Sequence, residues 1–120
     1  MNLLKLQVAL GALILAQACG AAVPAEQVTA AKAAVRAAEV AGAEEEPSAS
    51  LQLKHARDQI AQAEKLIRDE EDAEAATWLL KRAEVDADLA LAMAEETKTA
   101  AEAQAAKDDL EKLKKQLAEQ

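Results

Sequence analysis

The sequence predicts an all-α protein: an antiparallel helical hairpin or a three-helix bundle, with a long C-terminal helix that partly overhangs its neighbours. Three observations support this class. Hydrophobic residues make up 52% of the 120 residues, but most of them are alanine, the strongest helix former. Much of the remainder is Glu, Lys, Gln, Leu and Arg, a composition typical of long helices and coiled coils. Apolar residues recur in alternating steps of three and four, which is the spacing of one helix face.

Residues 1–18 have the layout of a signal peptide. Lys5 supplies a positive charge, residues 8–16 form a short apolar run, and small residues come before Cys19. The run is too short for a permanent transmembrane helix, which needs about 20 apolar residues. We therefore expect residues 1–18 to direct export and then to be removed.

Cys19 is the expected site of lipid attachment, and residues 19–24 are the expected tether. Residues 15–19 resemble a bacterial lipobox, in which small residues precede a cysteine that becomes the acylated N-terminus. The alternative is an unmodified cysteine beside an ordinary cleavage site after Ala18. Because Cys19 is the only cysteine, it cannot form an intramolecular disulfide, and an unmodified thiol would be open to oxidation. Several acyl chains would hold the protein stably on a membrane. Gly20 resembles the residue after the cysteine in lipoproteins sorted to the outer membrane, so we expect attachment at its periplasmic face.

The helical domain is predicted to cover residues 25–120. Pro24 suits the start of a first helix, whose apolar stripe comprises Val28, Ala31, Val35 and Ala38. Gly42, an acidic run and Pro47 then predict a break. The stripe of the second helix comprises Leu53, Ala56, Ile60, Ala63 and Ile67, widened by Leu66.

Four consecutive acidic residues, 69–72, are predicted to form a turn, with Asp72 as the N-cap of a third helix. No glycine or proline marks this turn, so a continuous helix from Ser48 onward is the alternative. Trp78, the only aromatic residue, is expected to brace the turn between the second and third helices.

The third helix shows the strongest periodicity, in a stripe of Ala73, Ala76, Leu80, Ala83, Ala87, Ala90 and Ala94, flanked by Leu79 and Leu91. Beyond Thr97 the phase slips, and residues 98–120 are predicted to form a coiled-coil-like extension. Its stripe comprises Ala106, Leu110, Leu113 and Leu117, supported by predicted Asp108–Lys112 and Glu111–Lys115 pairs. The second helix is too short to cover this extension. We therefore expect the stripe to be an interaction surface, for self-association or for an envelope protein, with a solvated single helix as the alternative.

The order of a lipobox cysteine, an alanine-rich helix, an acidic break containing proline, and a hairpin with the run at residues 73–84 resembles the bacterial DUF4398 lipoproteins. In that family a Gly-Asp-aromatic element usually leads into the third helix, whereas residues 69–72 of this chain lack glycine and aromatic residues. The resemblance implies an envelope lipoprotein of undefined biochemical activity.

No catalytic or cofactor-binding pattern emerges from the sequence. His55 is the only histidine, the acidic runs lack the spacing of a calcium loop, and the three glycines form no phosphate loop. The net charge of −8, without a basic stripe, disfavours a nucleic-acid partner. We therefore expect no enzyme activity, no cofactor, no metal and no small-molecule substrate. The expected role is structural or scaffolding in the envelope; the alternative is a periplasmic, tetratricopeptide-like hairpin that captures a peptide or an envelope protein.

Overall fold

The computed structural model describes residues 22–120, so the predicted signal peptide and Cys19 lie outside the described residues. Three helices make up this part of the chain: α1 at Ala25–Val40, α2 at Pro47–Arg68 and α3 at Ala73–Ala118. No strand occurs within residues 22–120. The prediction of an all-α bundle with a long C-terminal helix is confirmed.

The connection from α1 to α2 is held by backbone hydrogen bonds and a side-chain cap. Gly42 adopts a positive φ of 89°, a conformation that glycine reaches without a Cβ clash. The chain can then turn back, because the Ala43 N–H donates to the Ala38 carbonyl at 3.0 Å. The Glu46 carboxylate caps α2 by accepting from the Ala49 N–H, and Pro47 occupies the first helical position.

A tight turn separates α2 from α3, which confirms the predicted turn and rules out the continuous helix. The Glu71 N–H donates to the Leu66 carbonyl at 2.9 Å, and Glu70 takes a positive φ of 54°. Asp72 is the N-cap of α3, since its Oδ1 accepts from the Ala75 N–H at 2.9 Å. A glutamate thus occupies the left-handed position where glycine usually signals such a turn.

The core is a single cluster built mostly from alanine. The larger buried side chains are Val35 on α1, Leu53 and Ile60 on α2, and Leu80 on α3. The other buried apolar residues are Ala31, Ala38, Ala43, Ala49, Ala56, Ala63, Ala76, Ala83, Ala87, Ala90 and Ala94. These positions confirm most of the three predicted stripes. Small residues on a seam allow helix axes to approach to the near end of the usual range of about 8–10 Å.

The ends of the stripes depart from the prediction. Ile67 is 37% exposed, although the periodicity of α2 placed it on the buried face. Ala73 is only half-buried, while Val28 and Leu66 pack partly against the core. Ile67 and Ala73 lie at the last turn of α2 and the first turn of α3, where the bundle ends, so no further layer covers them.

The helices alternate in direction along the bundle. Lys32 pairs with Glu64, and Glu39 pairs with Arg57, so α1 runs antiparallel to α2. Within the core, Gln59 Nε2 donates to the Asp86 carboxylate at 2.7 Å, which joins α2 to α3. Because α3 is also antiparallel to α2, α1 and α3 point the same way.

Candidate interaction surface on the third helix

The third helix is much longer than the helices that cover it. At 1.5 Å per residue, the 46 residues of α3 measure about 69 Å, whereas the 22 residues of α2 measure about 33 Å. Ala94 is the last buried residue, and every residue from Glu95 onward is exposed. We call residues 95–118 the overhang; its length is about 36 Å. The predicted overhang of the C-terminal helix is confirmed.

The predicted stripe Ala106, Leu110, Leu113 and Leu117 lies entirely on the overhang. The three leucines are 53%, 54% and 66% exposed, in chain order, and Ala106 is exposed as well. Their spacing of four, three and four places them along one side of α3. The overhang therefore presents an apolar stripe that no part of the described chain covers.

The stripe is turned away from the core seam of α3. The register positions that would continue the core seam past Ala94 are Thr97, Ala101, Gln104 and Asp108, which are mostly polar. At 100° per residue, the leucine stripe lies about 130° around α3 from the core seam. The change of phase beyond Thr97 thus marks the point where the apolar face passes from the inside of the bundle to the outside.

Three large apolar residues on the outer face of α3 precede this stripe. Trp78, Val85 and Leu89 are 67%, 66% and 43% exposed. The expectation that Trp78 braces the α2–α3 turn is wrong. Trp78 is two residues from both Ala76 and Leu80, so it lies about 160° around the helix from the buried face. The spacing of Trp78 from Ala76 and Leu80 in the sequence therefore already indicated that Trp78 lies on the exposed face.

Ion pairs on the overhang join residues three or four apart along α3. Lys115 lies 3.1 Å from Glu111, as predicted. The predicted Asp108–Lys112 pair is wrong, because Lys112 instead approaches Asp109 at 3.4 Å and Asp108 accepts from Gln104 at 2.9 Å. All these groups are exposed, so each pair contributes at most a few tenths of a kcal/mol.

A charged cluster outside α3 joins the two shorter helices. The Arg57 guanidinium donates to the carboxylates of Glu39 and Glu44, the latter at 2.5 Å. The hydrogen bond from Arg57 to Glu39, and then that to Glu44, raise the pKa of Arg57 above its ordinary value. On the far side of α2, a hydrogen bond from Lys54 lowers the pKa of the Asp58 carboxyl. The Arg57 contacts join α2 to α1 and to the α1–α2 connection, whereas the Lys54–Asp58 contact lies within α2.

Chemistry-bearing residues do not converge in the described part of the chain. His55 is exposed on α2. Within residues 22–120, no group of three or more His, Cys, Asp or Glu side chains is arranged to hold a metal ion. None of the helices there contains a stretch both long and apolar enough to span a bilayer.

The start of the described chain and the overhang lie at opposite ends of the bundle. Ala22 and Val23 share a groove with Leu66, Ile67 and the residues of the α2–α3 turn. The α1–α2 connection lies at the other end, where Gly42 and Pro47 share a groove with Ala94 and Lys98 of α3. The overhang leaves the bundle at that second end. Ala22 is thus separated from the leucine stripe by the length of the bundle.

Comparison with known proteins identifies the domain. A family model described as a domain of unknown function, DUF4398, matches residues 26–106, which covers all three helices and the first part of the overhang. Among curated proteins and among solved structures, no significant match was found.

Proposed function

The chain belongs to the DUF4398 family, and from that premise we propose that it is an envelope lipoprotein with a structural or scaffolding role. Acyl chains on Cys19 anchor it at the periplasmic face of the outer membrane. The bundle holds the overhang away from that surface, where the leucine stripe binds a second protein. No catalytic step, cofactor or small-molecule substrate forms part of this function.

The observation that carries the proposal is that the first described residues and the overhang lie at opposite ends of the molecule. Residues 22–24 lie at the α2–α3 turn, and the overhang begins at the opposite end. A lipid on Cys19, three residues before Ala22, would therefore place the α2–α3 turn nearest the membrane. The tip of α3 would then stand about 69 Å from the turn, as the length of the helix sets it.

Two further features support an interaction role rather than a chemical one. The core is filled by alanine seams, while Leu110, Leu113 and Leu117 lie exposed in one stripe on the overhang, where a partner can reach them. The net charge of −8 keeps the rest of the surface solvated.

The test of the anchor is the intact mass of the protein extracted from the membranes of its own host. We expect a chain that begins at Cys19 and carries added acyl mass. A Cys19→Ala variant should lack both the acyl mass and the membrane association. The variant should still fold, because Cys19 precedes the bundle.

An unmodified, unanchored wild-type chain would contradict the proposal. The alternative predicted from the sequence, a periplasmic tetratricopeptide-like hairpin without a lipid anchor, would then be favoured. In that case the expected partner would be a peptide or an envelope protein bound by the hairpin.

A further inference from the structure

We propose that the partner of the overhang is a second copy of this chain, paired parallel and in register through a short two-stranded coiled coil. This inference rests on the proposed function, because anchoring at one end aligns the two copies. The inference specifies which protein binds the leucine stripe and in which direction the bound helix runs.

The stripe belongs to a heptad seam. Continued in steps of three and four, it takes in Thr99 and Ala103 before Ala106, Leu110, Leu113 and Leu117. A seam of this period is the pattern that pairs helices as coiled coils. Glu96 occupies the preceding seam position and Arg82 an earlier one, and a charge there would face its own copy across a parallel dimer. The seam positions between these two charges, Val85, Leu89 and Ala92, are apolar, but Glu96 separates them from the leucine stripe. We therefore place the pairing at residues 99–117 of the overhang.

Charges beside the seam select the partner. Glu102 and Asp109 flank it on one edge, and Lys107 and Lys114 flank it on the other. In a parallel, in-register pair, the acidic edge of one helix faces the basic edge of the next heptad of its partner. Glu102 then faces Lys107, and Asp109 faces Lys114, twice over because of the two-fold symmetry. In an antiparallel pair each edge would meet its like, and the charges would repel.

The ion pairs within the overhang fit this arrangement. Glu111 pairs with Lys115 on the side away from the seam. Within residues 22–120, neither Glu102 nor Lys107 nor Lys114 takes part in an ion pair. The Glu111–Lys115 pair is thus satisfied along its own helix, and Lys112 pairs with Asp109. The other three charges that flank the seam remain available to a partner.

Attachment to the membrane compensates for the small interface area of the short seam. Three leucines per copy bury less area than the roughly 1,000 Å² of a stable interface, so pairing in dilute solution is weak. Two copies anchored at the same end and held on one surface have a far higher effective concentration. The anchored, parallel arrangement also brings both tails to the same height above the membrane.

The experiment is disulfide cross-linking of the full chain in membranes. In a parallel, in-register pair, position 106 faces its own copy across the seam, and a disulfide forms where the Cα atoms lie within about 4.4–6.8 Å of each other. An Ala106→Cys variant should form a cross-linked homodimer under mild oxidation. The matched control is Ala105→Cys, the same substitution one residue earlier and about 100° off the seam, which should cross-link several-fold less.

Charge reversal tests the direction of pairing in the Ala106→Cys background. Changing Lys107 and Lys114 to Glu makes both edges acidic, and changing Glu102 and Asp109 to Lys makes both edges basic. Each variant alone should form about tenfold less cross-linked dimer. Co-expressed with different tags, the two should cross-link to each other as well as the unreversed protein does.

Two outcomes would overturn the inference: equal cross-linking at positions 105 and 106, or cross-linking of position 106 to a different polypeptide. The intact mass from the same membranes separates this failure from failure of the proposed function. Acylated chain without the dimer would leave the anchor standing and remove the second copy. Unmodified chain that still cross-links at position 106 at high concentration would keep the pairing and remove the anchor.

Discussion

At the scale of single residues, the division between alanine and leucine sets both the stability and the available surface. Leu53 and Leu80 are the largest fully buried side chains, and alanine fills most of the remaining core. Each CH₂ buried contributes about 0.8 kcal/mol, so an alanine contributes roughly 2 kcal/mol less than a leucine at the same position. The bundle therefore depends on a few large residues, while five other leucines remain exposed, three of them on the overhang.

Leu80→Ala and Leu113→Ala form a matched pair that tests this division. Leu80 is 1% exposed, and its truncation should lower the free energy of unfolding by about 2–5 kcal/mol. Leu113 is 54% exposed, so its truncation should change the stability of the monomer by no more than about 0.5 kcal/mol. Urea denaturation of the dilute protein measures both. Similar losses for the two variants would show that the overhang packs against the bundle.

At the scale of elements, the sequence located each helix by its ends. Gly42, Pro47 and Asp72 lie at the breaks and caps where local chemistry requires them. The turn at residues 69–72 left a continuous helix possible, because Glu70 adopts the left-handed conformation without the glycine that normally announces it. The Asp72 carboxylate decides between a turn and a continuous helix, because it can accept from a free backbone N–H only if a helix starts there.

Removing residues 105–120 should leave the bundle intact. Ala101 is the last residue of α3 that shares a groove with the α1–α2 connection, and nothing beyond it is buried. We expect the thermal midpoint of unfolding to change by only a few degrees. The helical circular dichroism per molecule should fall by no more than the removed segment contributes, since an isolated helix this short is marginally stable in water. Loss of cooperative unfolding would contradict the description of residues 105–118 as an uncovered extension.

At the scale of the whole molecule, the proposed function depends on the separation between its two ends. Residues 22–24 and the overhang lie at opposite ends, so α3 would hold the proposed anchor and the proposed contact apart. The alanine seams keep the bundle narrow. This layout suits a spacer or assembly element, and it is the basis of both proposals.

The separation can be measured with spin labels at Glu70→Cys and Gln116→Cys in a Cys19→Ala background. Both sites are exposed, one at the α2–α3 turn and one near the tip of α3. The expected distance in chains diluted with unlabelled protein is about 65 Å, because α3 runs unbroken between the labels. A distance below about 45 Å would mean that the overhang folds back on the bundle, and the spacer role would fail.

The sequence by itself determined the helical class, the three elements, most of the core seams and the leucine stripe, because alanine propensity, end signals and apolar period are local properties. Only the tertiary structure decided which positions are covered by a neighbouring helix and which are not. It left Ile67 uncovered, joined Gln59 to Asp86, and placed the first described residues opposite the overhang. These outcomes depend on where each helix ends relative to the others, and a one-dimensional period carries no information about that alignment.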